Sequence, residues 1–584
     1  MKMRDFIYRV SGALRVQIWM ALGALVSPCF AADHVLQFQH LWKGKPLVFD
    51  EWMERDNGGK VSVSRLAYLI SMPSLEGLDG KQIEQKNWFG FINAQEAVNR
   101  VTLNGLPDRE FAALRFSVGL DAVADKSDPN KYPAMHPLNP VRNNLHWSWQ
   151  GSYIFFAIEG RWRSADGAES GFSYHLGNAG MLMSVRIPGE FDASKPGAIE
   201  VNFHLDRVIG DSKTVPIDEQ TSSHGRDGDE LAVLLKRKIE KAFTLRKLSV
   251  QPAVAAPMEK ADAPSLVGTP YRFTMPAHFP MPNLPLDFPL TNERVELGRR
   301  LFHEKMLSGN GTVHCASCHS DAAFSDARKF AIGLNGKATP RHGMPLQNLA
   351  WKSKFFWDGR APSLREQALV AIQDEVEMYE TLPNVTAKLA ASEDYPPLFK
   401  AAFGDAKITP ERVGVAIEQF VISLTSFDSK FDRAFKGEGT LSVQEKRGFE
   451  LFFTEYEPRM QLFGADCFHC HGGAFFTDHG FHNNGLPSRN DDIGLGKTTG
   501  RAADRGRFST PSLRNIAVTA PYMHDGRFST LEEVVEHYTS ELQPSPTLDP
   551  NLAKHSGRGI PLSADDKAAL IAFMKALTDP RFEK

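Results

Sequence analysis

Residues 315–319 read CASCH, and residues 467–471 read CFHCH. This CxxCH spacing attaches a c-type haem, because both thiols bond the haem edge and the histidine binds one face of the iron. A zinc site would need all four cysteines in one cluster, and a redox CxxC needs no histidine, but 148 residues separate the pairs and each has its own histidine. The sequence therefore predicts two covalent haems, one on Cys315, Cys318 and His319 and one on Cys467, Cys470 and His471.

The start of the chain predicts export. Four basic residues precede the apolar run IWMALGALV (18–26), and small residues in CFAAD then offer a cleavage site. We expect residues 1–31 to be a signal peptide and the mature protein to be periplasmic. The alternative is an uncut anchor, but the run is too short to span a bilayer, so we expect no membrane span in the mature chain. Cleavage would remove Cys29 and leave four cysteines for haem, so no disulfide is expected.

Composition and length set the remaining limits. The 584 residues carry 67 basic and 70 acidic side chains, and 63 against 69 without the leader. This balance lacks the basic patch that binds nucleic acid, so no such partner is expected. A chain of this length holds two or more domains. The stretch VQPAVAAPMEKADAPSLVGTPY (250–271) is rich in Pro and Ala and is typical of a linker.

The part after the linker contains an internal repeat. LGRRLF (297–302) precedes the first haem motif and RGFELF (447–452) the second, while FWDGRAPSLREQA (356–368) matches MHDGRFSTLEEVV (523–535). The repeat predicts two cytochrome-c-like helical units with one haem each. We therefore expect a signal peptide (1–31), an N-terminal domain (33–250), a linker (251–271), a first haem unit (272–440) and a second haem unit (441–584).

The repeat also allows the two iron sites to be compared. After the second DGR, the apolar positions share one helix face at i, i+3, i+4 and i+7: Leu531, Val534, Val535 and Tyr538. Ala371 holds the position of Tyr538 in the first unit. A tyrosinate can bind haem iron and alanine cannot, so the two irons are predicted to differ. The alternative interpretation of Tyr538 is a buried tyrosine bonded to a carbonyl.

Four segments resemble the bacterial di-haem cytochrome c peroxidase/MauG superfamily: IGLNG (332–336), FFWDGRAPSLREQA (355–368), VEM (376–378) and STPSLRNIAVTAPYMHDGRFSTLEEVVEHY (509–538). The resemblance covers about 280–584. Its peroxidases carry a distal histidine where this chain has Leu334 and a methionine where it has Tyr538, whereas MauG-like members carry tyrosine. The resemblance thus implies an open face at the first iron and Tyr538 on the second, with Met523 or His537 as weaker ligand candidates.

The same resemblance implies roles for other residues. Glu377 would be the general base that moves a proton of peroxide, with Gln367 beside it, and Trp357 would relay electrons between the haems. A solvated glutamate and a core aromatic are the simpler interpretations of Glu377 and Trp357. Members also hold calcium between the units; Thr519 and Pro521 match two of its carbonyl positions, while His342 stands near the expected asparagine.

The N-terminal part shows the alternation of strands. LQFQHLW (36–42) and AIEVNFHL (198–205) alternate apolar and polar residues between Gly and Pro breaks. We therefore expect an all-β, sandwich-like domain before a mainly α-helical di-haem region. His40 would point inward and His204 outward. An inward histidine is more often structural than a metal ligand.

Further segments resemble the MbnP-like copper-binding family: FQHLWKGKPL (38–47), RLAYLISMPSL (65–75), HPLNPVRNNLHWSWQGSYIFFAIEGRW (136–162) and FSYHLG (172–177). In that family a tryptophan becomes kynurenine, whose amine joins histidines around copper, and a MauG-like, MbnH-like partner performs the oxidation. The resemblance implies Trp147 or Trp149 as the modified residue. His40 and His175 are the preferred copper ligands, with His146 third. Zinc, or no metal, remains open from the residues alone, and ordinary sheet packing is the other interpretation of the tryptophan pair.

Together the two resemblances imply an enzyme fused to its protein substrate. Hydrogen peroxide would react at the first haem, and a tryptophan of the N-terminal domain would be oxidised to kynurenine and create a copper site. One alternative is a peroxide-scavenging cytochrome c peroxidase with an external electron donor. The other is a non-enzymatic protein for copper binding or electron transfer.

Overall fold

A computed structural model describes the chain over residues 32–56, 58–107, 109–147, 151–193, 197–249, 266–319, 322–488, 491–555 and 559–583. The predicted signal peptide, linker residues 251–265 and Trp149 lie outside these residues.

Residues 32–249 form a domain built mainly from β-strands. The described strands are β1 Ala32–Trp42, β2 Lys45–Pro46, β3 Met53–Glu54, β4 Lys60–Gly77, β5 Gln82–Glu84, β6 Phe89–Asn93, β7 Arg100–Leu106, β8 Glu110–Val118, β9 His146–Trp147, β10 Ser152–Arg163, β11 Glu169–Gly177, β12 Met183–Asp192, β13 Ala198–His204, β14 Ser222–Ser223 and β15 Phe243–Ser249. The helices between them are α1 Ala122–Asp125, α2 Pro140–Asn143, α3 Asp206–Ile209 and α4 Glu230–Glu240.

The strands form two sheets. The smaller sheet has the order β15-β13-β1-β2, with β7 also pairing with β1. The larger sheet has the order β12-β8-β4-β10-β11-β14; β3, β5 and β6 pair with β4, and β9 pairs with β10. Strands β1 and β13 are parallel neighbours, whereas the neighbouring pairs β10–β4, β4–β8 and β8–β12 are antiparallel.

The sheets pack face to face, which confirms the predicted sandwich. On β1, Leu36 and Phe38 are fully buried, and the Phe38 ring meets Tyr68 of β4 edge to face with centroids 6.0 Å apart. Strand β13 alternates buried and half-exposed residues along its whole length, as expected for a strand with one face on a core. His40 points inward and His204 lies half-exposed on the other side of its strand, as predicted.

The region after the linker is mainly helical, as predicted. Its described helices are α5 Asn292–Phe302, α6 Leu364–Gln373, α7 Leu382–Ala391, α8 Tyr395–Phe403, α9 Pro410–Ser423, α10 Lys430–Phe435, α11 Val443–Phe452, α12 Phe468–His471, α13 Leu495–Thr499, α14 Leu531–Ser540, α15 Pro550–Ala553 and α16 Ala564–Lys575. Two short hairpins pair β16 Tyr456–Glu457 with β17 Leu462–Phe463 and β18 Phe481–His482 with β19 Phe508–Ser509. Within the described part of the chain, every helix is too short or too polar to cross a membrane.

The two haem units repeat the same helix packing. In the first unit α5 crosses α9 at Gly298, where an added Cβ would lie 1.9 Å from the carbonyl oxygen of Ala416. In the second unit α11 crosses α16 at Gly448, where it would lie 2.0 Å from the carbonyl oxygen of Ala569. Only glycine permits this close approach of two backbones, so both glycines of the sequence repeat have the same structural role.

The N-terminal domain contacts the second haem unit through β11 and α15. An added Cβ on Gly171 would lie 2.0 Å from the carbonyl oxygen of Pro550, and Ser170 Oγ donates to the carbonyl of Ala553 at 3.0 Å. Arg161 of β10 donates to the carbonyl of Ser545 at 2.7 Å. The sandwich therefore rests directly on the unit that carries the second CxxCH motif.

Candidate functional site

The two haem-attachment motifs have matching local geometry. His319 Nδ1 lies 3.2 Å from the carbonyl oxygen of Phe324, and His471 Nδ1 lies 3.1 Å from that of Phe476. Both phenylalanines have positive φ, 54° and 52°. A bond from Nδ1 to a carbonyl fixes the ring and leaves Nε2 for a metal, so each histidine is oriented to bind a haem iron.

A large cavity lies beside the first motif. It has a volume of about 1160 Å³, and its walls include Cys315, Cys318, His319, Gln367, Ala371 and Glu377. The thiols and the oriented imidazole of CASCH thus face a space of the size a haem needs, so these residues fit a c-type haem. Ala371, at the position of Tyr538 in the repeat, offers no ligand atom, which agrees with an open iron face.

Glu377 has the properties of a proton-transfer group. Burial raises the pKa of its carboxyl to about 7, with a further contribution from nearby Asp374. A carboxyl with this pKa can both accept and return a proton near neutral pH. Its backbone carbonyl accepts a hydrogen bond from Leu334 N at 2.9 Å, so the IGLNG segment packs against the segment that holds Glu377.

Tyr538 lies in the second unit on α14, which begins at the capping box of Thr530 and Glu533. Asn484 Nδ2 donates to the Tyr538 hydroxyl at 3.3 Å and lies 3.5 Å from Met523 Sδ. Tyr538 and Met523 therefore share one environment. His537 Nε2 bonds the backbone carbonyl of Asn484 at 2.9 Å, which makes His537 the poorest ligand candidate of the three.

Trp357 connects the two units. Its indole Nε1 donates to the carbonyl of His342 at 2.8 Å, its own carbonyl accepts from Ser509 N at 2.9 Å, and its ring lies 6.4 Å from that of His524. The indole is buried and lines the first-unit cavity. Its position between first-unit and second-unit segments suits an electron relay.

A cluster of three histidines lies where the N-terminal domain meets the second haem unit. His175 is on β11, His224 follows β14, and His469 stands between Cys467 and Cys470 of the haem motif. One ligand nitrogen of each lies within 4.8 Å of the others, and ring centroids are 5.1–5.6 Å apart. We call these three residues the interdomain histidine cluster.

Carboxylates surround this cluster. Glu159 Oε1 lies 2.9 Å from His175 Nε2, Glu455 Oε2 lies 2.8 Å from His224 Nδ1, and Asp466 Oδ1 lies 2.9 Å from His469 Nε2. Burial acts to lower the pKa of His469, but Asp466 and Glu455 outweigh it and raise that pKa to about 9. Burial lowers the pKa of His175 to about 3, so His175 is neutral at pH 7.

Trp147 lies against the interdomain histidine cluster. Its ring centroid is 5.8 Å from that of His224, its side chain is buried, and it packs on Gly177, where an added Cβ would lie 2.5 Å from the indole. Trp149 lies outside the described residues. Strand β9 contains only His146 and Trp147. The prediction that both tryptophans lie on one face of a strand is therefore not tested by β9.

The structure does not bring the three expected copper ligands together. His40 Nε2 lies 3.1 Å from the Tyr68 hydroxyl inside the sandwich, and His146 packs on the Tyr153 ring with centroids 4.6 Å apart. Among the described residues, some His, Cys and carboxylate side chains bring their ligand atoms within 4.8 Å of one another in groups of three. His175 belongs to such a group, whereas His40 and His146 do not. Alternation predicts which way a side chain points but not which side chains meet, and His224 and His469 stand in segments without a strand pattern.

The converging group Cys470, His482 and Asp549 includes a cysteine committed to haem, so it is not a separate metal site. Calcium gains no support. Thr519 and Pro521 can offer backbone carbonyls, but an imidazole at His342 is a poor ligand for a hard cation that prefers oxygen.

Comparison with known proteins agrees with this architecture. Residues 31–225 match the family model MbnP, and residues 292–440 match the family model Di-haem cytochrome c peroxidase. The methylamine utilization protein MauG of Methylophilus methylotrophus is 36% identical over 310 residues, which are 52% of this chain and 88% of that protein. Cytochrome c551 peroxidase of Nitrosomonas europaea is 33% identical, over 45% of this chain and 77% of that protein.

The chain therefore belongs to the di-haem cytochrome c peroxidase/MauG family, and it joins that region to a domain that matches the MbnP family model. The family supports a peroxidase-like oxidoreductase with two c-type haems. Among solved structures, a MauG-like protein associated with microbial copper homeostasis covers 53% of this chain and 98% of its own, with 36% identity and a TM-score of 0.48.

Proposed function

We propose that this chain is a di-haem peroxidase that uses hydrogen peroxide to oxidise its own Trp147 to kynurenine, and that the product completes a copper site. One observation carries the proposal. Trp147 is buried against His224, and His224 meets His469 of the second CxxCH motif. The indole, the candidate copper ligands and the haem attachment are thus contiguous.

Residues of the first unit prepare peroxide for reaction. When bound, the haems would supply the redox chemistry that reduces peroxide to water. Glu377 takes the first proton of peroxide and returns it to the departing oxygen, a role that its pKa of about 7 suits at neutral pH. Gln367 shares the cavity wall with Glu377 and offers an amide that can hold the peroxide by hydrogen bonds.

Buried aromatic side chains offer the path by which electrons leave Trp147. The indole contacts His224 at a centroid distance of 5.8 Å, and His224 contacts His469 at 5.6 Å. His469 is bonded in the chain to Cys470, and Trp357 lies between the two units. The tryptophan can therefore be oxidised without entering the first-unit cavity.

The stoichiometry requires two molecules of peroxide for each tryptophan. The indole C2–C3 bond breaks as two oxygen atoms are added and two waters form, and hydrolysis with one water then releases C2 as formate. Peroxide is the oxidant, the indole is oxidised, and kynurenine is left with a free aryl amine. That amine and the imidazoles beside it are nitrogen ligands of the kind that suit copper.

Three further parts of the proposal concern the surroundings of the protein. We place it in the periplasm, on the sequence pattern of residues 1–31 and because haem attachment by CxxCH belongs to exported proteins. Its protein substrate is its own N-terminal domain. An external electron donor is required only by the alternative function, peroxide scavenging.

The test compares the full-length holoprotein with its Trp147→Phe variant. Trp88→Phe is the matched control, because the indole of Trp88 donates to the carbonyl of Thr102 away from the cluster. Each protein receives two equivalents of peroxide and is then titrated with Cu(I) against a chromogenic chelator. In wild type and Trp88→Phe, peroxide should raise copper affinity at least about tenfold, about 1.4 kcal/mol.

The Trp147→Phe variant should consume peroxide at first, but its affinity for Cu(I) should not rise. Equal gains in all three proteins would contradict the proposal. Peroxide consumption that depends on added reduced cytochrome, with Trp147 intact, would favour the scavenging function instead.

A further inference from the structure

We infer that His175, His224 and His469 together bind one metal ion of the copper–zinc class, so that the two domains share the site. His469, inside the CFHCH motif, would be the ligand contributed by the haem unit. The inference rests on the proposed function only in taking copper as the natural metal, and it does not require an oxidised tryptophan.

The unpaired nitrogens of the cluster support this site. His175 Nδ1 and His224 Nε2 have no hydrogen-bond partner among the described residues, although the two side chains are only 3% and 6% exposed. Buried polar atoms are almost always satisfied. A metal ion between the rings would satisfy them, because imidazole nitrogens are favoured ligands of copper and zinc.

The carboxylates around the cluster have the arrangement that supports metal-bound histidines. Each imidazole has one nitrogen 2.8–2.9 Å from a carboxylate oxygen. Such pairs fix ring orientation and make the opposite nitrogen a better donor. In His175 the carboxylate faces Nε2, which assigns Nδ1 to the metal.

Charge also favours a bound cation. Three buried carboxylates, Glu159, Glu455 and Asp466, face two buried cations: Arg65 pairs with Glu159, and Lys554 lies 3.1–3.4 Å from the other two. Metal-bound imidazoles are neutral, so in the metal-bound state the three carboxylates exceed the two cations by one negative charge. A Cu(I) ion would neutralise it, and Zn(II) would exceed it by one, so Cu(I) is the better match in a buried site.

A shared metal has two consequences. It would hold the N-terminal domain against the second haem unit, because its ligands come from both. It would also alter the second haem, because His469 lies between the two cysteines that attach it. Metal binding should therefore be visible in the spectrum of the second haem before any peroxide is added.

The experiment titrates full-length holoprotein with Cu(I), and separately with Zn(II), before peroxide treatment. The variants are His224→Gln and His469→Gln. Each variant has a matched control. For His224→Gln the control is His204→Gln, because His204 bonds Thr244 on the far side of its strand. For His469→Gln it is His303→Gln, because His303 is an exposed histidine of the first haem unit. Haem absorbance per chain and Tm show whether each variant is folded. If His469→Gln is not folded, the same titration is done with His469→Asn.

We expect wild type and both controls to bind one ion and shift the second-haem spectrum. His224→Gln and His469→Gln should each raise Kd more than about 100-fold, because even partners that only orient ligands contribute about 10–100-fold. Unchanged affinity in His469→Gln with loss in His224→Gln would overturn the shared site and confine it to the N-terminal domain. No binding by wild type would leave the cluster as an ion-pair network between domains and overturn the inference.

Mass spectrometry of Trp147 in the same samples separates this inference from the proposed function. Metal binding that needs His469 in a chain whose Trp147 stays intact after peroxide would support the shared site and contradict tryptophan oxidation. Kynurenine at Trp147 with copper binding that is insensitive to His469 would support tryptophan oxidation and overturn the shared site.

Discussion

Among single residues, Glu377 has the most direct role in the account. Replacing it by glutamine should keep both haems but slow the reaction with peroxide by about 10²–10⁴-fold, because an amide cannot shuttle a proton. Glu375→Gln is the matched control, since Glu375 is an exposed glutamate two residues away. Stopped-flow absorbance measures the rate, and a Glu377→Gln rate within twofold of wild type would remove this residue from the mechanism.

The pKa of Glu377 also predicts a pH dependence. Burial raises this pKa to about 7, and the group must be deprotonated to accept the proton of peroxide. The wild-type rate should therefore fall as pH drops below about 7 and level off above it. Glu377→Gln should lack this transition in stopped-flow runs from pH 5 to 9, and a persisting transition would assign it to another group.

Tyr538 is the predicted ligand that would distinguish the second iron from the first. Tyr538→Phe removes the hydroxyl beside Asn484, so the second haem should lose its low-spin His/Tyr signal in EPR. Burial raises the pKa of Tyr538 to about 12, so only a bond to ferric iron would ionise it at pH 7. Tyr522→Phe, whose hydroxyl bonds the carbonyl of Ile516, is the control. An unchanged signal in Tyr538→Phe would point to Met523 as the ligand.

Prediction from sequence succeeded to different degrees for individual residues. The repeat alone paired Tyr538 with Ala371, and the fold places Ala371 in the first-unit cavity. Glu377 came from family resemblance, because its burial depends on segments distant in sequence. His224 and His469 were missed: one follows a two-residue strand, and the other is a variable position of CxxCH.

At the scale of elements, the contact of β11 with α15 joins the domains and can be tested at Gly171. Gly171→Ala would place a Cβ 2.0 Å from the carbonyl oxygen of Pro550, so strand and helix must separate. Overpacking of this kind costs about 1–3 kcal/mol. The variant should have a lower Tm and slower peroxide-dependent modification of Trp147.

Gly180→Ala is the control for this variant, because its Cβ would meet only the side chain of Asn178, at 3.3 Å. If Gly171→Ala keeps the wild-type Tm and rate of modification, the contact does not hold the domains in their reactive arrangement.

Periodic elements were the predictable ones. Strands β1 and β13 follow their two-residue alternation, and α14 follows its i, i+3, i+4 pattern from a Thr530 N-cap. Strand β9 is different, because it ends after Trp147. A strand of two residues is too short to show an alternation of apolar and polar residues. The environment of Trp147 therefore depends on β10, Gly177 and His224 and not on its own segment.

For the whole molecule, the decisive feature is that the N-terminal domain and the second haem unit are in contact. The sequence predicted a linker between the two regions, but it contained no signal for the docked arrangement. Glu455, Asp466 and Lys554 of the haem region complete a buried polar network with His175 and His224 of the sandwich. Such a network requires two folded surfaces, and no single segment shows it.

The most direct test of the central claim is peptide mass spectrometry of Trp147 in the full-length holoprotein after two equivalents of peroxide. The comparison is a His319→Gly variant, which lacks the proximal ligand of the first haem and retains the second motif. The account predicts kynurenine at Trp147 in wild type, with one formate released per chain, and intact tryptophan in the variant. Intact Trp147 in both proteins, or equal kynurenine in both, would contradict it.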